Sequence, residues 1–520
     1  MAKSKSAKKE TELTLESVMW NCRVIMRGKA SNEKQRDIIL TLVFLKFLDE
    51  KFKKQREKVL AEIEKEGLPP TFAEKTQYYT KDGVFYIEKD CRWENILKFD
   101  SKKFALECDN IITKINSIDR LTDTLPAKIF TDSRIDGKVL IELAEEIDKI
   151  DELKFHEKDL IGRVYEYFLQ AFSINATKEE GEFYTPHSIV ETISALIEPY
   201  DGIIYDPCCG SGGMFVQATK FIEAHGGNKN KVQVYGQESN PDTYRLAKMN
   251  LAIRGISFDL GPMNKSTFEE DLHDNLSVDY IMANPPFNLK KYELKTDDKR
   301  WNGYQTPPAS NANYAWILHM LSHLNKSKGV AGFLLANGAL NDSDTLEIRK
   351  QLIKNDKVEA IIVLPREMFY TTDISVTLWI LNNNKKGGMW HERQLRDRQN
   401  EILFVDLRTW NQNIYEKSFV QFLPEQIEEI ADIYHNWQMT GCDGKNYEKS
   451  ELYRSVGIKE IEENNFALTP SRYIEFVDRD SDIDYKAVLK ESGTKVNELL
   501  ERMQKNETAL KEAFNALEAK

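Results

Sequence analysis

Between Gly202 and Leu407 short apolar runs alternate with stretches of helical spacing, and no other feature constrains the fold as much. The runs are Gly202-Ile203-Ile204-Tyr205, Val232 to Glu238, Val278 to Ala283, Gly329 to Leu335, Val358 to Leu364, Val376 to Leu381 and Ile402 to Leu407. Most are dominated by apolar residues, as strands covered on both faces require. Helical stretches, such as the one carrying Val216, Ala218 and Phe221 and the one from Asn240 to Ile253, lie between them. Strands joined through helices pair in parallel, so the class is α/β with an open, doubly wound sheet.

In such a sheet the ligand crevice lies at the carboxyl ends of the strands. The first run enters Asp206-Pro207-Cys208-Cys209-Gly210-Ser211-Gly212-Gly213-Met214-Phe215 and then a helix. Glycines at such a turn let backbone approach a ligand without a Cβ in the way. The spacing is not G-x-G-x-x-G and no Walker lysine follows, which disfavours a pyrophosphate. Asp206 can hold an ammonium or order the loop, and Cys208 and Cys209 read as small packing residues. The second run ends in Glu238, placed to accept both ribose hydroxyls of an adenosine.

The run Val278 to Ala283 ends in Asn284-Pro285-Pro286-Phe287. Two prolines remove two backbone donors, leaving carbonyls with nothing local to bind. The Asn side chain adds an acceptor and Phe287 an aromatic face. Two acceptors beside a ring suit a flat ligand with an amino group, such as adenine. Upstream, Gly181-Glu182-Phe183-Tyr184-Thr185-Pro186-His187 precedes the helical pattern Ile189, Val190, Ile193, Leu196 and Ile197. Thr185 is expected to cap that helix with Pro186 at its first position, and the free N–H groups there suit a carboxylate.

A chain of 520 residues exceeds one ordinary core. The expected division is a basic arm over 1–10, a helical domain over 11–170, a catalytic domain over 171–410, a helical region over 411–480 and a heptad-bearing helix over 481–520. The N-terminal domain carries the helical patterns Ile38, Ile39, Leu42, Leu45, Phe52 and Val139, Leu140, Leu143, Ile147, Ile150, with a third over Ile161, Val164, Tyr165 and Phe168. It shows no phosphate loop or acid–base cluster. In the last helix Leu489, Val496, Met503, Leu510 and Leu517 share one heptad position, a stripe expected to pack on another subunit.

The longest apolar stretch, near Ile38 to Leu45, is too short to span a bilayer, and the Lys- and Ser-rich start has no signal-peptide core, so a cytoplasmic protein with no membrane contact is expected. The six cysteines form no Cys-x-x-Cys pair, and no ligand-spaced histidine cluster is expected, hence no metal. The net charge of −12 works against unaided DNA binding and favours a partner that supplies the grip.

Asn284-Pro285-Pro286-Phe287 after a hydrophobic strand resembles the catalytic motif of S-adenosylmethionine-dependent amino-methyltransferases. From Leu13 to Tyr473 the chain is similar to the modification subunit of type I restriction-modification systems, the N6-adenine DNA methyltransferase family. The resemblance implies a Rossmann-like methyltransferase sheet with an N-terminal all-helical domain and a C-terminal helical tail. It implies S-adenosylmethionine as cofactor, with Glu182, Phe183, Tyr184, Thr185, Pro186 and His187 joining Asp206, Gly210, Ser211, Gly212, Gly213 and Glu238 in its site. Asn284, Pro285, Pro286 and Phe287 become catalytic. The implied partners are double-stranded DNA, a specificity subunit, a second copy of this chain and an endonuclease subunit. One departure stands out: the family often has an acid where this chain has Ser266, within Asn264-Lys265-Ser266-Thr267-Phe268. The segments Gly303 to Trp316, with Asn311, Asn313 and Tyr314, and Phe466 to Ile474 share the resemblance without an assigned chemistry. The loop Asn288 to Trp301 holds Lys290, Lys291, Lys295, Lys299 and Arg300 and is read either as a lining for DNA backbone or as a solvated loop. The same tetrapeptide also suits methyltransferases of glutamine side chains or RNA guanine, and a non-catalytic scaffold is the third reading.

Overall fold

A computed structural model describes residues 14–80, 84–150, 164, 167, 185–228, 231–369, 374–412, 414–415, 419–477 and 485–518. Glu182, Phe183 and Tyr184, the arm over 1–10, and Ile161, Tyr165 and Phe168 lie outside the described residues.

The N-terminal region is helical throughout its described part. Thr14 and Ser17 form a reciprocal cap on the helix Leu15–Met26. The 34-residue helix Asn32–Lys65 follows, and every residue from Ile38 to Asp49 along it is buried. The stretch is therefore the spine of the helical core, and no described helix is long and apolar enough to cross a membrane. Helices Phe104–Asn116 and Gly137–Asp148 pack around it. Leu246, Met249, Ala252 and Ile253 belong to the same core, although they sit on the helix Pro241–Arg254 of the α/β region. Lys248 Nζ also donates to the Thr122 carbonyl at 2.6 Å. The helical region is thus seated on the helix that follows the second strand.

The α/β region is built on β1 (Gly202–Asp206), β2 (Val232–Gly236), β3 (Phe258–Asp259), β4 (Tyr280–Ala283), β5 (Val330–Ala336), β6 (Val358–Val363) and β7 (Val376–Asn382), extended by strands Glu401–Asp406, Tyr453–Gly457 and Glu448–Lys449. From one edge the order is β3, β2, β1, β4, β5, β7, β6, then those three. β1 to β5 are parallel, and β7 runs antiparallel between β5 and β6. The order reverses between β1 and β4, so their carboxyl ends flank the topological switch point where ligands bind. The expected α/β class and the Rossmann-like order are what the structure has.

One close approach matters for the site. A Cβ at Gly332 of β5 would lie 2.9 Å from Ile193 of the helix His187–Ile197. Glycine lets that helix lie flat on the sheet with its start over the tip of β4.

Two expectations need correction. The region 411–480 is not mainly helical: it supplies a helix, Pro424–Gln438, but also Tyr453–Gly457, which pairs antiparallel with Glu401–Asp406 and extends the catalytic sheet past residue 410. Its polar exposed face hid the strand, and Tyr473, stacked on Phe404 at 4.5 Å, holds the following segment to the sheet. The second correction concerns Thr185. The helix begins at His187, its cap position is Pro186, and no side chain caps it. The Thr185 hydroxyl is used elsewhere.

The last helix, Tyr485–Glu518, is as the heptad indicates. Leu489, Val496, Met503 and Leu510 are all exposed along it.

Candidate active site

A cleft opens at the carboxyl ends of β1 and β4. It is lined by Thr185, His187, Asp206, Cys208, Gly210, Ser211, Gly213 and Asn284, together with Met214, Gln217 and Asn250. Residues from three separated segments therefore meet in one place.

The glycine turn forms the floor. Gly210 and Gly212 adopt the left-handed conformation, with φ of 53° and 79°. Gly212 is the cap of the helix Gly213–Ala224 and packs towards Leu251, not into the cleft. At Gly210 and Gly213 an added Cβ would meet nothing within 4 Å, so these two positions leave open space that a ligand can enter.

Asp206 is buried at the end of β1, and its Oδ1 accepts the Cys208 N–H at 3.0 Å. Burial pushes its carboxyl up to about 7, the Cys208 N–H opposes this, and the nearby Glu238 charge adds to the rise. It therefore orders the loop, and its carboxyl group also lines the cleft. Glu238 stands at the end of β2. It accepts from Gly210 N at 2.9 Å and from Asn240 N at 2.8 Å, joining the β2 tip to the glycine turn. Burial raises its carboxyl too, and these N–H groups restrain the rise.

At the tip of β4, Asn284 Nδ2 donates to Thr185 Oγ1 at 2.9 Å. Its Oδ1 is buried and has no hydrogen-bond partner among the described residues. A buried acceptor without a partner costs roughly 1–3 kcal/mol and marks a place where a donor belongs. Among the described residues the Pro285 and Pro286 carbonyls likewise accept no hydrogen bond. Phe287 is half-buried and meets Phe369 edge-on at 5.8 Å. These acceptors thus share the tetrapeptide with a half-buried aromatic ring.

Several supporting residues were not foreseen. Asn250 is a polar residue on the buried face of its helix, the signal that could have found it, and it donates to the Ser211 carbonyl at 2.7 Å. Asn288, at a φ of 53°, is clasped by Asn313: Asn288 N donates to Asn313 Oδ1 at 3.1 Å and Asn313 Nδ2 to Asn288 Oδ1 at 3.0 Å. Asn311 Nδ2 adds a third bond at 3.2 Å. The segment that had no assigned chemistry thus fixes the loop immediately after Phe287.

The basic loop 288–301 divides. Arg300 is buried, pairs with Asp298 at 2.6 Å and donates to the Thr267 carbonyl at 2.7 Å. Thr267 Oγ1 in turn donates to the Pro207 carbonyl at 2.5 Å. Lys295 and Lys299 bond the Glu269 carbonyl and Asp274. Lys290 and Lys291 are exposed. Ser266 is not among the residues lining the cleft; its carbonyl accepts the Glu269 and Glu270 N–H groups.

The expectation that no histidines share ligand spacing fails. His319 and His323 lie one helical turn apart, and with Asp271 they place potential ligand atoms within 4.8 Å of one another. Asp271 accepts from His323 Nε2 at 2.8 Å. His319 is fully buried, and burial holds its imidazole neutral. Arg300 Nη1, which can only donate, lies 3.3 Å from His319 Nδ1, so Nε2 carries the proton and donates to Tyr205 Oη at 3.0 Å. With both ring nitrogens used and a guanidinium alongside, the cluster is a core relay bracing β1.

Similarity to known proteins defines the class. Residues 156–482 match the family described as N-6 DNA Methylase, and residues 15–147 match the HsdM N-terminal domain. The chain belongs to the N-6 DNA methylase family, as a methylase subunit of the type I restriction-modification kind. It is 43% identical to the type I restriction enzyme HindI methylase subunit of Haemophilus influenzae over 67% of this chain and 78% of that one. It is 32% identical to the MjaIX methylase subunit of Methanocaldococcus jannaschii over 97% of this chain and 92% of that one. In fold it is similar to a type I methyltransferase subunit from Streptococcus thermophilus, with a TM-score of 0.70 and 22% identity, covering 88% and 98% of the two chains.

Proposed function

We propose that this chain methylates the N6 amino group of adenine in double-stranded DNA, with S-adenosylmethionine as donor. The observation that carries this reading is the buried, unpaired Asn284 Oδ1 in the same cleft as the open positions at Gly210 and Gly213. The donor set fits the cofactor: Asp206 for the ammonium, Glu238 for the ribose hydroxyls and the start of the helix at His187 for the carboxylate. When bound, S-adenosylmethionine supplies an electrophilic methyl on a sulfonium.

The amino nitrogen of adenine is a poor nucleophile because its lone pair is delocalised into the ring. Asn284 Oδ1 and the Pro285 carbonyl accept its two hydrogens, which draws the nitrogen towards a tetrahedral geometry and localises the pair. Phe287 stacks on the base. Preorganised acceptors and positioning then carry the rate, without a strong general base in the loop. The base leaves the duplex at a cost of a few kcal/mol, and stacking returns about 1–3 kcal/mol.

The acidic net charge and the exposed heptad stripe on Tyr485–Glu518 support a multisubunit enzyme. In this reading a specificity subunit reads the sequence, two copies of this chain flank it, and an endonuclease subunit joins for cleavage; the assembly works in the cytoplasm. Co-expression with the neighbouring specificity subunit, followed by mapping of modified bases in host DNA, tests the reaction. N6-methyladenine at one recurring sequence is the expected result. Methyl transfer to RNA or protein instead would overturn it.

A further inference from the structure

We infer that Thr185 is a positioning residue for Asn284: its hydroxyl anchors the Asn284 amide at the tip of β4, with Oδ1 left for the target base. This rests on the adenine-methylating reading above and adds a role distinct from cofactor contact.

An Asn side chain has two nearly isosteric ends, one donor and one acceptor. Only the orientation that turns Oδ1 to the substrate can accept an amino hydrogen. The opposite orientation would face a donor to a donor and repel the base. Within the tetrapeptide the two prolines that follow Asn284 offer no N–H to hold the amide. The hold comes from 99 residues away in sequence, where Thr185 Oγ1 takes the Nδ2 hydrogen at 2.9 Å. With Nδ2 so held, Oδ1 is left buried, with no hydrogen-bond partner among the described residues. Thr185 can do this because Pro186, not Thr185, occupies the cap position of the following helix, so the hydroxyl is free of capping. The helix itself is held flat on β5 by the close approach at Gly332.

Thr185 also lines the cleft that the cofactor is proposed to fill. Direct cofactor contact and orientation of Asn284 are therefore rival roles with different signatures. The test uses the chain co-expressed with its specificity subunit. Single-turnover methylation of a duplex containing the recognised sequence is measured with S-adenosylmethionine Kd, for wild type, Thr185→Val and Thr185→Ser. Thr185→Val is expected to slow the methyl-transfer step at least 10-fold with Kd changed less than threefold, and Thr185→Ser to restore most of the rate. A Kd that rises in parallel with the loss of kcat/KM at unchanged single-turnover rate would overturn the positioning role and assign Thr185 to the cofactor. An unchanged rate in Thr185→Val would also overturn it. Were the Thr185→Val complex misassembled, Thr185→Ala with the same thermal midpoint as wild type gives the same comparison. Absence of any methylation by the wild-type complex would instead sink the adenine-methylating reading on which the inference rests.

Discussion

Glu238 Oε2 accepts the Gly210 N–H at 2.9 Å, so the carboxylate at the end of β2 is tied to the glycine turn after β1. One side chain thereby sets the width of the crevice between the two strand tips. Glu238→Ala removes this bond and that to Asn240 N, together with the proposed ribose acceptor. Charge-assisted hydrogen bonds contribute about 1.5–3 kcal/mol each. S-adenosylmethionine Kd should rise by at least 10-fold, measured by calorimetry, and Glu238→Gln, which keeps one acceptor oxygen, should lie between wild type and Ala.

Asp206 gives the site a pH signature. Burial raises its carboxyl to about 7, above its ordinary range. A raised carboxyl favours the protonated folded state, so its contribution to stability is present below the ordinary value and is lost as pH rises through about 7. A cofactor ammonium needs the ionised form. Thermal stabilisation by S-adenosylmethionine should therefore grow from pH 6 to pH 8, and Asp206→Asn should flatten that dependence. The readout is the midpoint shift with and without cofactor at each pH.

Arg300 is a rivet of the fold and not a DNA contact. Its guanidinium joins Asp298 to the Thr267 carbonyl, and Thr267 holds the Pro207 carbonyl of the glycine turn. Arg300→Met leaves Asp298 and the buried Thr267 carbonyl without their partner, which costs about 1–3 kcal/mol. The denaturation midpoint should fall clearly, whereas Lys290→Ala with Lys291→Ala should leave it unchanged.

The exposed stripe of the last helix predicts a separate phenotype. Replacing Leu489, Met503 and Leu510 by Ser should abolish co-purification with the specificity subunit. Each apolar side chain buried at an interface is worth about 1.5–3 kcal/mol, so a loss of at least 100-fold in affinity is expected. S-adenosylmethionine binding should be unaffected, because the stripe lies far along the chain from the cleft.

The sheet was legible because β4, β5, β6 and β7 are buried along their whole length and read as largely apolar runs, broken only by Glu359, Thr377 and Asn382. The Tyr453–Gly457 strand was not, because only part of it is buried and Arg454 and Ser455 interrupt the run. At the site, glycines, acids and the Asn-Pro-Pro-Phe loop were readable since each sits at a strand end, where chemistry and local conformation coincide. The Thr185 hydroxyl and the Asn313 clasp on Asn288 depend on contacts across 99 and 25 residues, which no local pattern encodes. The His319–His323 spacing was present in the sequence. Its partner Asp271 lies 52 residues from His323, and only the fold brings them together.

The central claim is that the free Asn284 Oδ1 accepts a hydrogen of the target amine. The most direct measurement is the methylation rate of the assembled complex on its recognised duplex, taken with S-adenosylmethionine Kd, for wild type and Asn284→Ala. Loss of transfer by at least 100-fold with Kd within threefold of wild type is the predicted result. Retained transfer, or equal loss of transfer and cofactor binding, would contradict it.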